Sequence, residues 1–369
     1  MKLGLGLYRH QLDDAHFQFA AQAGCEAVVI HLVDYFNQGG TNSAKDQPTG
    51  DLAGWGRAGD PARLWEEDDL RDITRRAGRH GLRIAAIENF DPAHWSDVLL
   101  DGPRKVEHLE NVRTLIRRVG AAGIPCIGYN FSLAGVAGRV RGHFARGGAE
   151  AVGMDGPVDD PIQEGMVWNM RLTDRLGPGT LPPCSPEQLW TRLREFHEAV
   201  LPVAEQAGVV LAAHPDDPPL PTLRSTPRLV YQPQLYQKLI DLSPSPANQL
   251  EYCLGSLAEM TDGDLYEYTD SYSRQGRIAY VHFRNVRGKV PTYRETFVDD
   301  GDIDMLRIVR ILHRNGFKGV LIPDHAPQMT CGAPWHAGMA FALGYMRAAL
   351  QMVQQEAKTE PDRRGVERR

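Results

Sequence analysis

Short apolar runs recur along the chain, and each is followed by a longer stretch whose apolar residues repeat at helical spacing. A short apolar run bounded by turn-forming residues is typical of a buried β-strand, whereas apolar residues three and four positions apart are typical of an amphipathic helix. The eight runs predict strands at Leu3–Leu7, Ala27–His31, Arg83–Ile87, Cys126–Tyr129, Val209–Ala213, Gln249–Tyr252, Ile278–Phe283 and Gly319–Pro323.

The stretches that follow these strands predict eight helices. Gly81, Gly208 and Gly316 each come directly after one of them, and glycine readily takes the left-handed conformation that ends a helix. Strands that alternate with helices indicate parallel βα units, and eight units predict an α/β fold of the (β/α)₈, or TIM, barrel type. The predicted helices are Asp14–Ala23, Asp68–His80, Val106–Ala122, Pro186–Ala207, Gln232–Leu242, Asp264–Gln275, Ile303–Asn315 and Ala337–Gln354.

Two connections are too long to be simple βα loops, and they lie at about 33–67 and 132–185. Both follow a predicted strand, so we expect them on the C-terminal face of the barrel, where loops of this fold carry function. We therefore predict a single barrel domain over residues 1–355 with these two insertions. Residues 356–369 are almost wholly polar and predict a disordered tail.

Charge and composition exclude several classes of protein. The formal net charge is −6 and the sequence pI is about 6.1, so no overall positive field exists to hold nucleic acid. No run of eighteen apolar residues and no signal peptide is visible, which predicts a soluble cytoplasmic protein without a membrane partner. The five cysteines form no C-x-x-C pair, which favours free thiols or a metal ligand over disulfides.

Polar residues stand at the end of nearly every predicted strand. His214, Cys253, His282 and Asp324 follow strands five to eight, which are neighbours in a closed barrel. Taken singly, a histidine is more often a structural hydrogen bonder and a cysteine a small core residue. Two imidazoles, a thiolate and a carboxylate that converge on one mouth instead predict a site for one divalent cation, Mn²⁺, Zn²⁺, Fe²⁺ or Co²⁺.

The segment His214-Pro215-Asp216-Asp217-Pro218-Pro219 follows the fifth strand. Proline restricts both its own backbone and that of the residue before it, so the segment leaves the barrel in a fixed direction. We expect this stiff turn to aim His214 inward.

A longer set of motifs is similar, in the same order along the chain, to the metal-dependent mannonate dehydratases of hexuronate breakdown. The H-P-D-D-P-P stretch and the spaced cysteine, histidine and aspartate are the most specific of them. The motifs are Glu88; Gly123-Ile124 before Tyr129-Asn130-Phe131; Leu201-Pro202-Val203-Ala204-Glu205 before His214 to Pro219; Ser245-Pro246-Ala247-Asn248 before Cys253-Leu254-Gly255-Ser256; Val281-His282-Phe283-Arg284-Asn285; Gly301-Asp302-Ile303-Asp304-Met305; and Pro323-Asp324-His325.

The resemblance implies a barrel that binds one Mn²⁺-type ion through His214, Cys253, His282 and Asp324. These are the same four residues that the strand ends select. The resemblance also implies dehydration of a sugar acid, D-mannonate, to 2-keto-3-deoxy-D-gluconate, and a homo-oligomer.

Dehydration next to a carboxylate needs a Lewis acid, a base for the weakly acidic proton and an acid for the leaving hydroxyl. His325 is the leading candidate for one proton-transfer role, and Arg284 is assigned to the catalytic set because it can neutralise a carboxylate. The predicted substrate-binding residues are Arg9, Glu88, Tyr129, Asn130 and Asn285.

The chain departs from the family pattern at two places. Ala333-Pro334-Trp335-His336 stands where the family has an Asn-Pro-Gly-Tyr-like stretch, and the predicted catalytic substitute for its tyrosine is His336, whose pKa suits proton transfer at neutral pH. Tyr8-Arg9-His10 replaces a Trp-Tyr-Gly-like sequence, and the insertion that begins at Ser132 also differs. Three functions therefore fit the sequence: mannonate dehydratase, a metal-dependent sugar isomerase or epimerase acting through an enediolate, and a non-catalytic sugar-acid binding protein.

Overall fold

The computed structural model of this protein describes residues 1–36, 48 and 54–366. Residues 37–47 and 49–53, which belong to the insertion predicted at about 33–67, lie outside the described residues, as do residues 367–369.

Eight parallel strands close into a barrel, each paired with its neighbours in sequence and the last paired with the first. This confirms the predicted (β/α)₈ fold. No strand end differs from its predicted position by more than one residue. The barrel strands are β1 (Lys2–Leu7), β2 (Ala27–Ile30), β3 (Arg83–Glu88), β4 (Cys126–Tyr129), β5 (Val210–Ala213), β6 (Asn248–Cys253), β7 (Ile278–His282) and β8 (Val320–Ile322).

The helices surround this barrel, and seven of the eight predicted ones begin and end within three residues of the prediction. The long helix α5 shows why. Ser185 caps its first turn by accepting from the backbone N–H of Gln188, and Gly208 ends it in the left-handed conformation. The helices are α1 (Asp14–Gln22), α2 (Glu67–Arg79), α3 (Pro92–Leu100), α4 (Lys105–Ala121), α5 (Pro186–Ala207), α6 (Leu235–Leu242), α7 (Leu254–Glu259), α8 (Leu265–Arg274), α9 (Met305–Arg314) and α10 (Pro334–Val366).

Three helices differ from the sequence prediction. The short helices α3 and α7 were not predicted, and both lie in connections that carry the chain away from a strand end. The last helix α10 extends beyond Gln354 into the polar segment that was predicted to be a disordered tail. None of the helices among the described residues combines the length and apolar character needed to cross a membrane.

Successive residues on each barrel strand point to opposite sides of the sheet. Small side chains such as Ala86, Cys126 and Ala212 pack inside the barrel in one cluster. Large ones such as Ile127 and Tyr129 belong to the main core between the barrel and the helices. Every second residue of a strand therefore points into the barrel, and the inward-pointing residues of the different strands form layers. The layer nearest the C-terminal ends of the strands forms the bottom of the mouth.

A four-stranded antiparallel sheet lies outside the barrel strands. Two of its strands, Arg139–Ala145 and Ala149–Asp155, belong to the insertion after β4. The other two, Asn285–Lys289 and Thr292–Thr296, form a hairpin after β7 that the sequence pattern does not predict. The strand Thr292–Thr296 pairs with Ala149–Asp155 and so joins the insertion after β4 to the hairpin after β7.

Candidate active site

A cavity opens at the C-terminal end of the barrel, as expected for this fold. Its walls are formed by residues at or just after the ends of β1 to β5, β7 and β8, together with residues of the long connections. Its lining combines aromatic and titratable side chains. The aromatic side chains are Tyr8, Tyr35, Trp55 and Trp168, and the titratable groups are His31, Glu88, Arg139, His214, Asp217, His282, Asp324 and His325.

The four predicted metal ligands come together at this cavity. The ligand atoms of His214, Cys253 and His282 lie within 4.8 Å of one another, and Oδ2 of Asp324 is 3.5 Å from Nδ1 of His282. Nδ1 of His214 is 2.6 Å from the carbonyl oxygen of Pro215. A proton on Nδ1 donated to that oxygen would leave Nε2 of His214 available as a ligand atom.

The donor set fits a divalent cation. Both ring nitrogens of His282 are buried and make no aligned hydrogen bond within the described part of the chain, and a buried polar atom without a partner is costly unless a ligand satisfies it. Burial would raise the pKa of the Cys253 thiol, but the cation of Arg284 and the neighbouring imidazoles of His214 and His282 lower it well below its ordinary value. The resulting thiolate is the form of cysteine that binds metals.

Three residues on the cavity wall, including Trp168 with φ of 54°, have a left-handed backbone that is uncommon outside glycine. Asn89 has φ of 68° and Asp324 has φ of 60°. Asparagine and aspartate tolerate this conformation better than other residues, and single cases of it cluster at functional sites. At Asp324 the turn brings the carboxylate next to His282.

Arg284 lies behind the cavity wall rather than on it. Its Nη2 donates to Oδ2 of Asp217 at 2.9 Å and to Oγ of Ser256 at 3.0 Å, and its Nη1 donates to Glu295. Its Nε is 3.3 Å from Oδ2 of Asp324. The guanidinium is thus surrounded by protein acceptors, so the structure does not support the predicted direct contact between Arg284 and a substrate carboxylate.

His325 is on the cavity wall, as predicted. Its Nδ1 lies 3.3 Å from Oε1 of Glu295, and its Nε2 lies 3.3 Å from Oδ1 of Asp324. These two carboxylates flank the ring and restrict its orientation. The strand end of β8 therefore supplies both a predicted ligand and an imidazole that faces the cavity.

Glu88 and Asn130, two of the predicted substrate-binding residues, also line the cavity. Burial would raise the pKa of Glu88, but the imidazoles of His31 and His282 lower it to about 2. The amide of Asn130 accepts from Nε1 of Trp168 at 3.1 Å and donates to the carbonyl of Pro215. Each of the two residues is thus held by neighbours on the wall.

Tyr129 does not reach the cavity, which corrects its predicted role. It is the next residue after Gly128, and alternation along β4 turns its ring outward, against α5. There its hydroxyl lies 2.7 Å from Nε2 of His197 in the main core.

Three more predicted residues lie away from the cavity. Arg9 is exposed on a short 3₁₀ turn, and its neighbour Tyr8 occupies the wall instead. Asn285 is buried, and its amide binds backbone groups of the 285–303 loop, including Ile303. His336, on the first turn of α10, packs against His16 and Phe19 of α1. A substrate-binding or catalytic role for these residues is not supported by their positions.

Sequence reasoning also missed residues that the structure places at the site. Arg139 lies in an insertion whose sequence has neither periodicity nor a motif, so no signal marked it. His31 stood at a predicted strand end but was not selected. Glu251 could have been found, because it precedes Cys253 by two residues and therefore shares its face of β6.

The closed barrel and its mouth define the class of protein, a (β/α)₈ barrel with a candidate metal centre. The solved structure of an L-ribulose 3-epimerase has the same fold, with a TM-score of 0.57, 15% identity and 97% of each chain covered. The crystal structure of a mannonate dehydratase from Streptococcus suis serotype 2 is more similar, with a TM-score of 0.75 and 25% identity over 97% of this chain and 95% of that chain.

Sequence comparison narrows this class to one family. A family model described as D-mannonate dehydratase (UxuA) matches residues 180–358. The mannonate dehydratase of Streptococcus pneumoniae (strain 70585) is 31% identical over 276 residues, which cover 71% of this chain and 74% of the relative. The mannonate dehydratase of Geobacillus thermodenitrificans (strain NG80-2) is 30% identical over 313 residues, which cover 77% of this chain and 82% of the relative. The chain belongs to the mannonate dehydratase family.

Proposed function

We propose that this protein is a hydro-lyase that dehydrates D-mannonate to 2-keto-3-deoxy-D-gluconate with one bound divalent cation, Mn²⁺. The observation that carries the proposal is the convergence of His214, Cys253, His282 and Asp324 at one end of a cavity that also presents acid–base groups. Membership of the mannonate dehydratase family supports the substrate and the reaction.

The four converging residues are the ligands in this proposal. A bound cation supplies a Lewis acid that stabilises the negative charge which develops next to the substrate carboxylate when the C2 proton is removed. The protein residues around it then have three tasks, which are to bind the carboxylate, to take the C2 proton and to protonate the departing 3-hydroxyl.

Arg139 is the residue we assign to the carboxylate. Among the described residues it is the arginine on the cavity wall, and its Nη2 donates to Oδ2 of Asp217 at 2.5 Å. The Asp217 contact holds the guanidinium in a fixed orientation, and a fixed guanidinium is well suited to bind a carboxylate through charge-assisted hydrogen bonds.

His31 and His325 are the two imidazoles that we assign to proton transfer. Burial lowers the pKa of His31, which keeps its ring neutral and able to accept the C2 proton. Its Nδ1 lies 3.2 Å from the hydroxyl of Tyr35, which orients the ring. His325 then donates a proton to the 3-hydroxyl, which leaves as water, and the enol product becomes the 2-keto acid.

A direct assay tests the proposal. The Mn²⁺-loaded protein is incubated with D-mannonate, and a 2-keto-3-deoxy acid is measured by periodate and thiobarbituric acid, with His214→Ala as the control variant. We expect product from the parent protein only, and stoichiometric metal in the parent but not in the variant. Exchange of solvent tritium into the sugar without dehydration would instead indicate an isomerase or epimerase, and binding without turnover would indicate a sugar-acid binding protein.

A further inference from the structure

Glu251 is a fully buried carboxylate inside the barrel, one layer below the mouth. It lies two residues before Cys253 on β6, so both side chains point to the barrel interior. Neither carboxylate oxygen makes an aligned hydrogen bond with a described residue. The predicted ligand set does not include Glu251.

Two polar groups lie against this carboxylate, the imidazole of His282 and the hydroxyl of Tyr280. Oε1 of Glu251 lies 3.1 Å from Nε2 of His282, and Oε2 of Glu88 lies 3.2 Å from the same nitrogen. The other nitrogen of the ring, Nδ1, faces Asp324. The two nitrogens of His282 therefore meet different groups, with the carboxylates of Glu251 and Glu88 near Nε2 and that of Asp324 near Nδ1.

The absence of a side chain at Gly128 leaves room for the carboxylate of Glu251 inside the barrel. Gly128 on the neighbouring strand β4 has no side chain, and a Cβ built there would lie 2.2 Å from Oε2 of Glu251 and 2.3 Å from the hydroxyl oxygen of Tyr280. Real Cβ atoms do not approach other atoms so closely, so alanine at this position would displace the carboxylate or the phenol. The φ of Gly128 is ordinary, and close approach is the reason that glycine is needed.

The burial of the Glu251 carboxyl group is electrostatically unfavourable and calls for an explanation. Its immediate neighbours among the described residues are the imidazole of His282 and the hydroxyl of Tyr280, and no arginine or lysine is paired with it in the described part of the chain. Burying a carboxyl group without a strong partner is unfavourable, and ionisable groups in such surroundings cluster at functional sites. The group that Glu251 can act on is His282.

We propose that Glu251 is a positioning residue for the metal centre. Oε1 of Glu251 lies close enough to Nε2 of His282, at 3.1 Å, to accept a hydrogen bond once the ring aligns with it, and this bond would fix the tautomer that leaves Nδ1 free as the ligand atom and restrain the tilt of the ring. Carboxylates that accept from a metal-bound histidine in this way orient the ring and increase its basicity. This inference rests on the proposed function in one respect, that His282 is a ligand.

The test measures metal affinity rather than turnover. Glu251→Gln keeps an acceptor but removes the charge, Glu251→Leu keeps the volume without an acceptor, and Gly128→Ala displaces the carboxylate. Competition with a chelator gives the Kd for Mn²⁺, and Co²⁺ absorption reports the Cys253 thiolate bond. We expect Kd to rise about 10-fold for Gln and about 100-fold for Leu, which is the range for residues that orient a metal-bound histidine. We expect Gly128→Ala to lie between them, with one metal ion per chain throughout.

Asp97→Asn is the matched control, because Asp97 is a buried carboxylate on α3 that bonds the backbone of Arg104 and contacts none of the proposed ligands. Its Kd for Mn²⁺ should equal that of the parent protein. Unchanged Kd in the Glu251 variants together with a lower melting temperature of the metal-free protein would show a role in folding alone and overturn the proposal. Two ions in the parent and one in Glu251→Leu would overturn it in favour of a second cation site.

The outcome is separable from the proposed reaction. If the parent protein does not dehydrate D-mannonate but its Kd depends on Glu251 as expected, the positioning role stands and the substrate assignment fails. If His282→Ala leaves Kd unchanged, the ligand assignment itself fails, and with it the basis for a role of Glu251.

Discussion

Oδ2 of Asp217 accepts from Nη2 of Arg284 at 2.9 Å behind the wall of the cavity. Asp217 belongs to the stiff turn after β5, whereas Arg284 follows β7 and also contacts Asp324 after β8 and Glu295 of the outer hairpin. One buried guanidinium therefore connects three barrel strands and the sheet above them.

Replacing Arg284 by methionine is expected to reduce the free energy of unfolding by about 3–5 kcal/mol, because buried carboxylates would lose their cation. Arg146→Met is the control, since Arg146 makes an exposed ion pair with Asp299 and such pairs contribute at most about 1 kcal/mol. Urea unfolding of both variants measures the difference. Equal losses would show that the Arg284 network does not stabilise the fold.

His197 should make stability depend on pH. Burial lowers its pKa from 6.5 to about 4, so below pH 6.5 the unfolded chain binds a proton that the folded chain does not. Neutral, buried His197 therefore makes its full contribution to the free energy of unfolding above pH 6.5. This contribution decreases by about 3 kcal/mol in total as the pH falls to about 4. We expect His197→Gln to show a smaller decrease in unfolding free energy between pH 7 and pH 4.5. An identical pH dependence in both proteins would contradict this.

The two histidines predicted to be catalytic should behave differently. His325→Gln removes a proton-transfer group from the cavity wall and should lower kcat by at least about 100-fold. His336→Gln changes a side chain packed against α1 and should leave kcat/KM within about threefold. Steady-state kinetics with D-mannonate distinguishes the two variants. A large decrease of kcat/KM in His336→Gln would support the catalytic role predicted for His336 from the sequence.

Arg139→Met should weaken substrate binding. Loss of a charge-assisted hydrogen bond costs about 1.5–3 kcal/mol, so we expect KM to rise about 10- to 100-fold. The control is Arg141→Met on the same strand, because Arg141 pairs with Glu150 and is not on the cavity wall. If both variants have the parent KM, the carboxylate is bound elsewhere.

Removal of metal should lower thermal stability. An ion that binds only the folded chain stabilises it by about 2.7 kcal/mol at a free concentration of 100 Kd. We therefore expect a chelator to lower the melting temperature of the purified protein and Mn²⁺ to restore it. Cys253→Ser should respond less to Mn²⁺, and a response equal to that of the parent would argue against Cys253 as a ligand.

The barrel could be predicted because strand and helix periods are local properties of the sequence. The position of each strand end then followed, and with it the convergence of His214, Cys253, His282 and Asp324. The prediction for Tyr129 was wrong because successive residues of a strand face opposite sides of the sheet, so being at a strand end does not by itself place a side chain in the cavity. Gly128 and Asn130 face the opposite side from Tyr129, and Asn130 does line the cavity.

Other features depend on contacts between distant parts of the chain. Arg139 reaches the cavity because its strand pairs with Ala149–Asp155, which in turn pairs with Thr292–Thr296. No local pattern near residue 139 indicates that pairing. The same holds for Asn285, whose amide binds backbone groups more than ten residues away.

The outer sheet has a practical consequence for redesign of this enzyme. Its strands come from two connections separated by more than a hundred residues, and the pairing of Tyr293 with Met154 joins them in one sheet. A chimera that exchanges one connection for that of a relative would present mismatched strand edges to the other. Grafted loops from related enzymes must therefore be transferred as a pair.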